Sequence, residues 1–247
     1  MEKSAVWVAT SKNKRSQRNT KIEVLRSVRL LKTYTPDIGR TLIATKDILS
    51  DKKLCSLFHK TINIKYKNFN GEMGSKIQAL ELSPYPFTLI LDNDILPIKD
   101  LSKGFDFIGP DKRHIALSIA PRQELRDNPG VTNYQNGLMF VYKCKETLNF
   151  FERWRNGVQQ QGVDSPTRFI FSHLLADDPN ITLYALSYFW NFRIDLLLDF
   201  NITLGVLNKI FPQVRVLHTH LVRTRAINIF NKHPQVNEIK TIIGFQG

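Results

Sequence analysis

At 247 residues, 42% hydrophobic and 23% charged, the chain has the length for one large α/β domain or two small ones and too much apolar content for disorder. No apolar run approaches the roughly 20 residues of a bilayer span, residues 5–9 are too few for the core of a signal peptide, and two cysteines supply neither a disulfide framework nor a metal spacing. A cytoplasmic, reducing setting is therefore expected, with association at a membrane surface left open. The net charge of +13 is concentrated: residues 1–76 hold 17 Lys or Arg against 6 Asp or Glu, or +11, and the rest hold 18 against 16, or +2. Such a field either solvates a face or steers a phosphate-rich partner, and the two readings stand level.

Residues 5–10 (AVWVAT) read as a first strand, followed by a basic loop over 11–19 with Lys12, Lys14, Arg15 and Arg18. Thr20 with Glu23 makes a capping box, and Ile22, Leu25, Val28 and Leu31 recur at helical spacing, predicting a helix from Thr20 to about Tyr34. A strand over 41–45, a weak helix over 49–59, a strand over 61–66 and a helix over 75–82 follow. Residues 87–91 (FTLIL) have the continuous apolar character of a strand covered on both faces. In the second half, strands are expected at 115–120, 138–142, 182–186 and 214–218. One helix spans 147–158 with Leu148, Phe151, Trp154 and Val158 inward, and another opens with Ser165 as N-cap and Pro166 in the first turn. The alternation argues for a single α/β domain with a mostly parallel central sheet flanked by helices, because parallel strands need crossover connections.

Asp92-Asn93-Asp94 ends the buried strand. In extended backbone Asp92 and Asp94 would project the same way, at the sheet edge where open α/β folds bind ligands. Two carboxylates there suit a hard divalent cation carrying a diphosphate, while a plain strand-ending turn uses the same residues. Lys76 on the preceding helix and the basic N-terminal third favour the metal. Asn136-Gly137 reads equally as a tight hairpin turn or a ligand loop. His218 and His220 lie two apart, on one face of a strand, and His173 among apolar residues reads as structural.

Taken together, residues 75–95 resemble the segment of GT-A fold glycosyltransferases in which a Lys-bearing helix runs into a strand ending in D-x-D, above all in the retaining glycogenin and galactosyltransferase-like group. Further pieces follow in the same order. Residues 134–139 (YQNGLM) are similar to the element lining the donor sugar pocket, with Gln135 standing where the family has Asn. Asp164 before Ser165-Pro166 resembles the Asp heading the helix near the acceptor, Asn191-Phe192-Arg193 an Asn-x-Arg piece, and residues 214–218 (VRVLH) the late strand that delivers a His to the metal. After that His the chain departs from the family, with Thr219-His220-Leu221-Val222 in place of Gly and Lys-Pro-Trp; Arg223 and Arg225 lie just beyond.

The resemblance implies a Rossmann-like GT-A domain with a nucleotide-binding half over about 1–95, a sugar and acceptor half over about 96–220 and a tail over 221–247. It implies a hexosyltransferase-like, retaining enzyme with a nucleotide diphosphate sugar as donor and Mn²⁺, or Mg²⁺, held by Asp92, Asp94 and His218. Asp92, Asp94, Asp164 and Gln135 would be catalytic. Ala9, Thr10, Ser11, Lys76, Asn93, Asn136, Gly137, Asn191 and Arg193 would bind the donor. The acceptor stays open, with a polyanion such as modified DNA or an anionic glycan or lipid-linked saccharide suggested by the charge. Two other classes stay open as well: a nucleotidyl- or phosphotransferase on a similar sheet, and a non-enzymatic basic nucleic-acid-binding module. The latter is opposed by the lack of a zinc-finger spacing, an RNP-type strand or a Gly-rich phosphate loop.

Overall fold

The computed structural model of the chain describes residues 2–10, 14–65, 76–119, 132, 134–161, 167–193, 208–218, 234, 236 and 238. The expectations placed on Ser11, Lys12, Asp164, Ser165, Pro166, His220, Arg223, Arg225 and the side chain of Arg15 fall outside the described residues.

Strand β1 (Lys3–Ala9) leads into helix α1 (Lys14–Tyr34), which begins six residues before the expected Thr20. Thr20 is no cap: it lies on the buried stripe continued by Val24, Ser27, Val28 and Leu31. The two turns before it are built from Lys, Arg, Ser, Gln and Asn with no Gly or Pro, so nothing stops the helix there, although no apolar periodicity announces it. After β2 (Gly39–Ala44) the expected weak helix is two single turns, α2 (Lys46–Leu49) and α3 (Lys52–Cys55). Asp51 between them accepts the Leu54 amide at 3.0 Å and starts the second turn anew. Then come β3 (Lys60–Asn63), α4 (Ala79–Leu82), β4 (Phe87–Leu91) and a three-residue β5 (Ile95–Pro97).

The remaining strands are β6 (Ile115–Ile119), β7 (Tyr134–Tyr142), β8 (Leu183–Leu186), β9 (Phe192–Arg193) and β10 (Val216–His218). Helices α5 (Lys145–Gln161) and α6 (Thr167–Asp177) lie between β7 and β8. Among the described residues a seven-stranded sheet has the order β3-β2-β1-β4-β7-β6-β8, and a small second sheet the order β5-β10-β9. In the large sheet β7 pairs antiparallel with both β4 and β6, while the other pairings are parallel. Asn136 and Gly137 are inside β7, so the hairpin reading is corrected. The β6 ladder jumps from Leu117↔Met139 to Ser118↔Gln135, which leaves 136–138 unpaired on that side, while Leu138 stays paired to Leu91 of β4. The Asn-Gly pair marks a bulge and not a turn.

Two cores cover the sheet. Trp7, Leu42, Leu89, Leu138 and Phe140 pack with Val24, Val28 and Leu31 of α1 on one face. Ile43, Ile90, Met139 and Val141 pack with Phe151, Trp154 and Val158 of α5 and Phe171 of α6 on the other. The buried indole of Trp7 donates to Ser27 Oγ at 2.9 Å, so its polar edge is not left orphaned. From the tail, Val236 is buried and Glu238 accepts a hydrogen bond from the Tyr34 hydroxyl at 3.3 Å.

Candidate active site

The carboxyl end of β4 is the centre of the site. Its register sets Trp7 of β1 beside Leu91, so Ala9 and Thr10 leave β1 alongside the 92–94 segment. Both are buried, Thr10 to 4% exposure. Asp92-Asn93-Asp94 is not extended, as the alternation argument required. It is a turn in which the Ile95 amide donates to the Asp92 carbonyl at 3.3 Å, and the chain then enters β5. The turn and the ligand readings of the triplet are therefore compatible: the turn brings the two carboxylates together.

The small sheet supplies the third group. β10 pairs antiparallel with β5 so that His218 stands opposite Ile95, next to Asp94, and parallel with β9 so that it stands beside Arg193. His218 Nε2 lies 3.3 Å from Asp94 Oδ1. Asp92, Asp94 and His218 each offer a ligand atom within 4.8 Å of the others. His218 Nδ1 lies 3.2 Å from Asn191 Oδ1. An amide oxygen only accepts, so Nδ1 carries the proton and Nε2 is the ring atom available to a cation. Asn191 is fully buried at the end of a 3₁₀ turn (Tyr188–Asn191), and its Nδ2 has no partner among the described residues. Its place is behind the histidine, a role that spacing in the sequence does not reveal, because the two residues are 27 apart.

Lys76 Nζ sits 2.6 Å from Asp92 Oδ1, with the lysine side chain only 11% exposed. From the bulge of β7, the Gly137 carbonyl accepts the Asp92 amide at 2.8 Å. A Cβ on Gly137 would come within 2.8 Å of His218 Cε1 and 3.0 Å of Asp92 Oδ2, so the cradle around the carboxylates and the imidazole requires glycine. Gln135, two residues before Gly137 on β7, is 6% exposed, and neither atom of its amide has a partner among the described residues; nor has Asn93 Oδ1. Burial pushes the Tyr134 phenol above its usual range, so it stays a neutral donor at ordinary pH. Asn136 and Arg193 are half-buried at the same end of the sheet.

The donor set of two carboxylates and one imidazole, with the far ring nitrogen held by a buried amide and a glycine leaving the space open, fits a divalent transition metal. A second cluster, His114, Cys144 and Glu146, lies at the opposite end of the sheet. There the Thr182 amide donates to His114 Nδ1 at 3.1 Å, which puts the ring proton on Nε2 and leaves that nitrogen no lone pair for a metal. Of these two clusters among the described residues, the first alone has a ligating geometry.

No family model and no curated protein matches the sequence. Solved structures do. The glycosyltransferase GlyE of Streptococcus pneumoniae TIGR4 superposes with a TM-score of 0.68 at 12% identity over 100% of this chain, which spans 61% of that one. An active-site mutant of LgtC gives 0.66 at 11% identity over 98% of this chain and 95% of its own. Mouse xyloside xylosyltransferase 1 gives 0.56 at 13% identity over 90% and 98%. The mostly parallel sheet flanked by helices on both faces is thus the GT-A fold that these glycosyltransferases share.

Proposed function

We propose that the chain is a metal-dependent, retaining hexosyltransferase that moves a sugar from a nucleotide diphosphate sugar to an acceptor. The observation that carries this reading is the convergence of Asp92, Asp94 and His218 at the carboxyl end of β4 in a GT-A fold. A divalent cation bound by those three residues would act as a Lewis acid on the diphosphate leaving group, and the imidazole in the set favours Mn²⁺ over Mg²⁺. Asn191 holds the His218 ring so that Nε2 faces the carboxylates. Lys76, fixed on Asp92 before any ligand arrives, adds a positive charge where phosphate oxygens would lie, a preorganised dipole of the kind that lowers the barrier.

Ala9, Thr10 and Ser11 would border the nucleoside. The buried polar atoms of Gln135 and Asn93 would be satisfied by hydroxyls of the donor sugar, since such groups rarely go unpaired. Asn136 and Arg193 would complete the donor pocket, and Asp164 would meet the acceptor, as the family resemblance implies. Retention follows from the same likeness to the group with a late metal-binding His. The acceptor is proposed to be anionic, on the strength of the +11 carried by residues 1–76.

The test is a panel of nucleotide sugars incubated with the protein in Mn²⁺, with release of nucleoside diphosphate as readout. One donor should be hydrolysed, and activity should vanish with a chelator and with Asp94→Asn while the circular dichroism spectrum is unchanged. Pyrophosphate release would transfer the chain to the nucleotidyltransferases, and turnover indifferent to chelation would sink the metal assignment.

A further inference from the structure

A groove of 520 Å³ opens between α1 and α3, and none of the residues placed in the active site lines it. Helix α1 contributes Lys14, Arg18, Lys21 and Arg29 to its walls, and Lys53 stands on α3. Positions 14, 18, 21, 22, 25 and 29 recur at three- and four-residue steps, so they form one stripe of the helix. The single carboxylate of the lining, Asp51, already accepts the Leu54 amide at 3.0 Å. Lys14, Arg18, Lys21 and Lys53 form no ion pair among the described residues. The floor between the cations is apolar, made by Ile22, Leu25, Leu54 and Leu57, with Leu25 and Leu57 only partly buried against the core.

A bare polyanion would use the cations and leave that floor wet. A ligand with a phosphate next to hydrocarbon uses both, because the cations then meet charge while the leucines lose water. We propose that this groove seats the phosphate and the first apolar carbons of an anionic phospholipid, and so docks the protein on an anionic membrane surface through α1 and α3. No described helix is long and apolar enough to cross a membrane, so attachment of the described part is peripheral. The +11 over residues 1–76 extends the attraction beyond the groove. This site is independent of the transfer reaction, since lipid binding needs neither donor nor metal.

Co-sedimentation with phosphatidylglycerol–phosphatidylcholine vesicles, against pure phosphatidylcholine vesicles, tests it in the absence of donor and metal. The protein should pellet with the anionic vesicles alone and be released by salt. A surface cation is worth roughly fivefold in partitioning, so R18Q/K53Q should lose roughly 25-fold, with both exposed residues leaving the melting temperature unchanged. L57N, confirmed as folded by its melt, should also weaken binding while keeping the salt dependence of the wild type. Equal binding to both vesicle types, or R18Q/K53Q pelleting like the wild type, overturns the proposal. So does a DNA oligonucleotide that binds with unchanged affinity to L57N and displaces the vesicles, which would mark a site for bare polyanions.

Discussion

Asn191 carries no exposed surface, and the one described hydrogen bond of its side chain is to the imidazole of His218. Truncating it frees the ring to turn and orphans the Nδ1 proton, so Asn191→Ala should weaken Mn²⁺ binding by roughly 10- to 100-fold. Asn191→Asp keeps an acceptor and should retain more of the affinity. Calorimetric titration of both variants beside His218→Ala checks this, and wild-type affinity in Asn191→Ala would remove the residue from the site. Gly137→Ala is expected to fold, being inside a strand, yet to lose at least roughly tenfold in Mn²⁺ affinity, because its methyl would sit 2.8 Å from His218 Cε1. A Gly137→Ala protein that binds Mn²⁺ normally would show the cradle to be looser than described. At this scale Asp92 and Asp94 could be singled out in the sequence because two carboxylates follow the end of a mostly apolar strand, although the same triplet serves a plain turn equally well. The service that Asn191 gives to His218 was not, because it depends on two strands meeting in space.

Among the elements, the strand 87–91 was legible to the residue, since an apolar run broken only by Thr88 between Pro86 and Asp92 has sharp ends. The first turns of α1 were not, because residues that face water on a helix have no period to read. β5 and β9, three and two residues long, are too short for any alternation and exist only through their pairing with β10. The link between α3 and β3 supports a prediction about pH. His59 donates its amide to the Arg40 carbonyl at 2.9 Å, and its Nδ1 accepts the Arg40 amide at 3.1 Å. Although the residue is exposed overall, desolvation of the ring, followed by the charges of Arg40 and Lys32, holds the imidazole below its usual range. The unfolded chain therefore takes up this proton at higher pH than the folded one. Stability from His59 is complete above about pH 6.5 and is lost as pH falls through the lower folded value. The melting temperature of the wild type should drop more than that of His59→Gln on acidification from about pH 7.5 to about pH 5.5, and parallel curves would show that His59 is not the titrating group.

For the molecule as a whole, the sequence alternation was enough to foresee a mostly parallel sheet. It did not show that β7 runs against its neighbours, because direction is decided by connections and not by the strand's own residues. Nor did it show the second sheet that carries His218 to Asp94. Binding at a site assembled from β1, β4, β7 and β10 should stabilise the entire described core by linkage. With nucleoside diphosphate at about 100 times its Kd, the melting temperature should rise by roughly 5 to 10 °C in Mn²⁺. Without Mn²⁺, or in Asp94→Asn, the shift should be absent, and a metal-independent shift would place the nucleotide away from the carboxylates.

The position of β10 in the chain has a consequence for synthesis. Every described strand of the large sheet has been made by Leu186, whereas the third candidate ligand, His218, arrives 32 residues later. A nascent chain can thus form the scaffold, and with it both aspartates, while the candidate metal site is still incomplete. Contacts of such long sequence separation form late, so pairing of His218 with Asp94 is expected to follow formation of the large sheet.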